Sequence, residues 1–133
     1  MNIEEELYKL SNKAFKKNEI PVGCLIIHND KIIAKAYNKK NASNSVIDHA
    51  EILAIRKAAK KLKTWNLSDC TLYCTLKPCK MCEEVIKQSY IKKVYYILDN
   101  SKEINYKYNS EQLCAANKIK FDKNMQDFFV NKR

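Results

Sequence analysis

Residues 49–82 read HAEILAIRKAAKKLKTWNLSDCTLYCTLKPCKMC. Ala50 to Leu62 is rich in Ala, Leu, Ile and Lys, with Ile52, Ile55, Ala59 and Leu62 at helical spacing, and so predicts a helix. Thr71 to Leu76 alternates and is β-prone, and Pro78 stops it. Cys79 to Ser89 then predicts a second helix. A strand is thus framed by two helices, and each helix opens on residues able to ligate a metal.

Working outward, residues 2–17 place Ile3, Leu7, Leu10 and Ala14 at helical spacing, and Pro21 closes that region. Val22 to Ile27 and Lys31 to Tyr37 read as the strands of a β-hairpin, turning at His28-Asn29-Asp30. Residues 38–48 are polar and loop-like. Beyond the second helix come a strand from Val94 to Leu98, a polar stretch over 99–111, a short strand around Lys118 to Phe121, and a last helix from Asp122 to about Asn131. Strands alternating with helices predict an α/β fold, a sheet covered by helices on its faces. The unalternating apolar runs 22–27 and 94–98 suit burial on both sides.

The chain has 133 residues, the size of one domain over 1–133, and at 46% hydrophobic it can build a core. No apolar run approaches the roughly 20 residues of a membrane span. The acidic start, Met1 to Glu6, lacks the layout of a secretory signal, so a soluble cytoplasmic protein is expected. Six cysteines raise the alternative of a disulfide framework, which a chain with its own core and no export signal does not need. Cys24, Cys70 and Cys74 lie in or beside apolar runs and read as small buried hydrophobes, and Cys114 as a helix-face residue. The net charge of +10 points to a polyanionic partner such as nucleic acid. Yet only Arg56 and Arg133 are arginine, and a lysine- and asparagine-rich chain with one glycine also follows from A/T-rich coding alone.

Cys79 and Cys82, three apart at a helix start, share a face and can grip one ion. Unpaired N–H groups there favour their thiolates. With His49 they form a set whose two negative charges neutralise Zn²⁺. Three protein ligands leave the fourth tetrahedral position to water, whose pKa the metal lowers towards about 7, as in a catalytic zinc site. Glu51 is the base candidate. Residues i and i+2 point about 200° apart in a regular helix, so His49 and Glu51 converge only if His49 sits where the backbone is not yet helical. Other readings exist for each part. Asp48-x-x-Glu51 resembles a capping box, which would make Glu51 structural. A lone C-x-x-C can be redox-active. The joint order, H-x-E and then P-C-x-x-C some 27 residues on, is the signature of zinc nucleobase deaminases.

At this point the chain resembles the bacterial tRNA-specific adenosine deaminases. Pro21-Val22-Gly23, Ala36-Tyr37-Asn38, His49 to Ala54, Thr64 to Leu67, Cys70 to Tyr73 and Pro78 to Cys82 stand where that family has similar residues, over about 19–96. The resemblance implies a three-layer α-β-α cytidine deaminase-like fold with a central mixed sheet of about five strands. It implies a hydrolase holding one zinc ion per chain on His49, Cys79 and Cys82, with Glu51 catalytic, that converts adenosine to inosine at the wobble position of tRNA. It further implies a homodimer, a hydrogen bond from Asn38 to the flipped adenine, and contacts of Phe128, Phe129, Lys132 and Arg133 with the anticodon stem-loop. The chain departs from the pattern at Lys77, where the family usually has Glu, and at Ile97-Leu98, where it usually has Gly-Ala. The loop Asp99 to Lys102 and the region before the last helix are short. Two alternatives stay open: a deaminase of a free base or nucleoside of guanine or cytosine type, and a non-catalytic zinc-stabilised subunit.

Overall fold

The computed structural model describes residues 2–99, 109–113 and 118–131. The elements follow as α1 (Ile3–Lys16), β1 (Gly23–His28), β2 (Lys31–Tyr37), α2 (Lys40–Ser43), α3 (Ala50–Leu62), β3 (Cys70–Leu76), α4 (Lys80–Gln88), β4 (Lys93–Leu98), β5 (Asn109–Gln112) and α5 (Lys118–Asn131). Asn2 caps α1 by accepting the Glu5 N–H at 3.0 Å, and Glu4, Glu5 and Glu6 in its first turn oppose the positive end of the helix dipole. Asn29 and Asp30 both take positive φ, which matches the twist of the β1–β2 hairpin.

The five strands lie in the order β2-β1-β3-β4-β5. β1 is antiparallel to both β2 and β3, while β3–β4 and β4–β5 are parallel. Cys24, Ile26, Leu72, Cys74, Val94 and Tyr96 pack on one face, with Ala50, Ala54, Ala58 and Ile86 from α3 and α4. Leu25, Ile97 and Leu98 pack on the other, with Leu7 of α1 and Phe121 of α5. Helices thus cover both faces of a mixed sheet, as expected of a cytidine deaminase-like fold, and β1 and β4 contribute to both cores. Cys24, Cys70 and Cys74 are buried, as their apolar surroundings imply, whereas Cys114 lies outside the described residues.

Two expectations are corrected. The strand expected around Lys118 to Phe121 is the first turn of α5, and the fifth strand is Asn109–Gln112. Alternation at 118–121 is misleading, because Ile119 is 80% exposed while Phe121 and Phe128, seven apart, are buried at helical spacing. The region 38–48, read as loop, contains the short helix α2.

The single glycine marks the closest approach of helix to sheet. A Cβ on Gly23 would stand 2.5 Å from Leu10 Cβ and 3.1 Å from the Ser11 nitrogen, so α1 rests directly on the start of β1. Beside it, the buried Thr75 hydroxyl accepts the Gly23 N–H at 3.0 Å, tying β1 to the end of β3.

Candidate active site

The topology brings the chemistry to one edge of the sheet. Because β1 is antiparallel to both β2 and β3, those two strands run the same way and end on the same side. Asn38 follows β2, the Lys77-Pro78-Cys79 turn follows β3, and the N-terminus of α3 meets them there. Ligand sites of α/β proteins favour such carboxyl ends.

His49 is the N-cap residue of α3, with extended backbone at φ −73° and ψ 155°. This removes the difficulty of the i, i+2 pair: His49 precedes the helix, Glu51 lies in its first turn, and both face the same cavity. Since the cap position is His49 and not Asp48, the capping-box reading of Glu51 fails. Cys79 is likewise the extended N-cap of α4, and Cys82 lies in the first turn of that helix.

The His49 Nδ1 atom is 3.4 Å from Cys82 Sγ and 3.7 Å from Cys79 Sγ. All three donors fall within 4.8 Å of one another. Tetrahedral zinc with its usual bond lengths separates a sulfur from a nitrogen ligand by about 3.6 Å, so the residues fit the ion. The electrostatics agree. Cys79 is pushed down to about 3, chiefly by the hydrogen bond from Cys82, while Cys82 is pushed up by that same bond and by burial. Zinc takes both sulfurs as thiolates, so its binding would release thiol protons. The hydrogen bond with Cys79 raises His49.

Glu51 is 4% exposed, and burial pushes its carboxyl up to about 7, against the pull of His49. It lines a cavity of about 150 Å³ with Ile20, Val22, Asn38, Lys40, His49, Leu76, Lys77 and Cys79. That is well below the roughly 300–1,000 Å³ of drug-sized pockets, and suits one flat base rather than a chain of nucleotides. Asn38 is buried at its rim, with Oδ1 accepting the Lys40 N–H at 2.9 Å. That bond leaves its NH₂ group to donate to a ring acceptor. Lys77, the departure from the family pattern, also lines the cavity and lies 5.5 Å from the Tyr96 ring centroid.

The C-terminal residues divide. Phe128 is 7% exposed and packs edge-on against Phe129, which is 48% exposed. Phe128 is therefore mostly a packing residue, and Phe129 is the ring open to solvent. Lys132 and Arg133 lie outside the described residues. A residue that the sequence did not single out is Glu19, which is 1% exposed and accepts the N–H groups of Asn41 at 2.9 Å and Ala42 at 2.7 Å. It pins α2, and with it the loop between Asn38 and His49. No local pattern announces this, because the carboxylate and its donors stand more than 20 residues apart.

A helix-covered mixed sheet carrying two cysteines, a histidine and a buried glutamate at its edge defines a zinc-dependent deaminase class of site. The chain belongs to the family with a cytidine and deoxycytidylate deaminase zinc-binding region, whose model matches residues 2–98. It is 41% identical over 115 residues to a tRNA-specific adenosine deaminase of Rickettsia bellii (strain RML369-C), covering 82% of this chain and 79% of that one. A solved structure from work on A-to-I editing by tRNA:A34 deaminases superposes with a TM-score of 0.75 at 26% identity, covering 82% of this chain and 95% of the other. A guanine deaminase from Bacillus subtilis superposes with a TM-score of 0.69 at 27% identity, covering 96% and 95%. The family is a zinc-binding one, and His49, Cys79 and Cys82 are the group able to hold that ion here.

Proposed function

We propose that the chain is a cytoplasmic hydrolase that deaminates adenosine to inosine at the wobble position of tRNA. The observation that carries this reading is Glu51, a buried carboxylate facing a cavity the size of one base beside the His49-Cys79-Cys82 donors. The likeness to tRNA-specific adenosine deaminases supplies the substrate. His49, Cys79 and Cys82 would hold zinc, which supplies the Lewis acidity that makes water nucleophilic at neutral pH. Glu51 takes one proton from the water as its oxygen bonds to C6 and delivers it to the adjacent ring nitrogen, then carries the second proton, from the hydroxyl now on C6, to the amine as the C6–N bond breaks. Water and adenosine thus give inosine and ammonia. Asn38 donates its amide N–H to the base and sets its orientation. The small cavity requires that the base leave the stack, and an unpaired anticodon base costs least to extrude.

A partner copy is part of the same proposal. Val46 and Ile47 are exposed apolar residues on the loop between α2 and α3 that leads into His49, and a homodimer would cover them.

The likeness to a guanine deaminase favours a second reading, action on a free base. Incubating the purified protein with a tRNA bearing A34, and separately with adenosine, guanine and cytosine, while reading ammonia, separates the two. Release from the tRNA alone is expected. Release from guanine without release from tRNA would replace the tRNA reading.

A further inference from the structure

A second concave surface begins one residue from the catalytic cavity and has no part in the chemistry described above. It is a groove of about 480 Å³ between α1, the free edge of β2 and α3. Six lysines line it: Lys9, Lys13 and Lys16 from α1, Lys35 from β2, Lys39 after β2, and Lys57 from α3. The one carboxylate among its walls, Glu6, is bound to Lys35 at 3.4 Å. Lys9 pairs with Glu5, but both are well exposed, so that pair holds little charge in check. Lys13, Lys16 and Lys39 have no ion pair among the described residues.

Simpler causes account for only part of this. Lysine on an edge strand guards against strand addition, which covers Lys35. Lysine in the last turn of a helix suits its dipole, which covers Lys13 and Lys16. Neither cause brings lysines of three elements to line one space, where Lys57 Nζ donates to the Lys35 carbonyl at 2.7 Å. Lys9, Lys13 and Lys16 follow at i, i+4 and i+7 on α1, a like-charge stripe that destabilises the helix. Tyr37 also lines the groove. Lys17 and Lys39 stand 5.6 and 5.2 Å from its ring centroid, and the hydrogen bond with Lys17 holds its hydroxyl below the ordinary value.

We propose that this groove takes the phosphate backbone of the RNA whose base enters the catalytic cavity. The inference rests on the tRNA reading above. Continuity supports it: Lys39 lines the groove, while Asn38 and Lys40 on either side line the cavity. Along α1 the groove runs from Glu6 to Lys16, roughly 15 Å at the rise of a helix, room for two or three successive phosphates. Phosphate contacts of this kind carry no sequence information. They add affinity that a single-base cavity lacks, and they set the direction in which the strand leaves the site.

The test compares wild type with the triple variant Lys13→Gln/Lys16→Gln/Lys35→Gln, all three positions being exposed. Binding to an A34-bearing tRNA is measured between about 50 and 200 mM salt. A control triple, Lys60→Gln/Lys61→Gln/Lys92→Gln, removes equal charge from outside the groove. The groove variant should lose roughly one unit of log–log salt slope per lysine, and its KM for tRNA should rise at least about tenfold with the loss falling on KM rather than kcat. The control should keep slope and KM, as should the charge-preserving Lys13→Arg/Lys16→Arg/Lys35→Arg. Melting temperature and zinc content verify that each variant is folded. If wild type binds tRNA and the groove variant matches it, or the control loses as much, the groove assignment is wrong and the catalytic reading stands. If wild type neither binds nor deaminates tRNA, both fall.

Discussion

At the residue scale, Glu51 and His49 show how one backbone position governs a site. With extended φ and ψ at His49, the imidazole and the carboxylate two residues on reach a common cavity. Glu51→Ala should therefore keep zinc and fold while turnover drops by about 10²–10⁴, the usual contribution of a general acid–base group. Were Glu51 only a packing residue of the first turn, the variant would instead change stability and keep its rate. Thermal melts and turnover measured side by side decide it. Cys79→Ser addresses the metal. A serine hydroxyl does not ionise as the Cys79 thiol does, so zinc content should fall well below one per chain and the melting temperature should drop with it. Full zinc retention would remove Cys79 from the ligand set.

At the scale of elements, two contacts hold the site from behind. Helix α1 rests on β1 at Gly23, with no room for a methyl group. Gly23→Ala should cost about 1–3 kcal/mol through a forced shift of α1, visible as an earlier denaturant midpoint. An unchanged midpoint would mean that α1 gives way freely. Glu19 holds α2 through two backbone N–H groups. Glu19→Gln sets an NH₂ against one of those donors and should cost about 1–3 kcal/mol. Because α2 links Asn38 to His49, the variant should also raise KM. A variant as stable as wild type with an unchanged KM would show that the loop is positioned by its own hydrogen bonds, among them Lys39 N–H to the Asp48 carbonyl at 3.0 Å.

For the whole molecule, exposed Val46 and Ile47, on the loop that leads into His49, motivate the proposed dimer. Sedimentation at micromolar concentration should give twice the mass of a 133-residue chain. A Val46→Lys/Ile47→Lys variant should shift towards monomer, and a wild-type monomer would exclude the pairing. At this scale the chain also carries its net charge of +10 unevenly, with six lysines gathered along one groove.

What the sequence determined by itself is what short-range geometry dictates. Cys79 and Cys82, three apart at a helix start, had to share a face, and the periodicity of 50–62 and 71–76 placed α3 and β3 within a residue of their ends. Asn29 and Asp30 marked a turn through their own backbone preferences. Tertiary structure decided the rest, where the partners are distant in sequence. Asn109 to Gln112 has no apolar residue, and becomes a strand because β4 offers a parallel ladder, with Gln112 also donating to the Ile97 carbonyl at 2.9 Å. Phe121 belongs to a helix because α1 and β4 bury it there, against the local alternation of 118–121. Glu19 is buried, and Asn38, Glu51 and Cys79 meet, because β2 and β3 run the same way on either side of β1. No spacing along the chain encodes that convergence, since it is set by which strands pair.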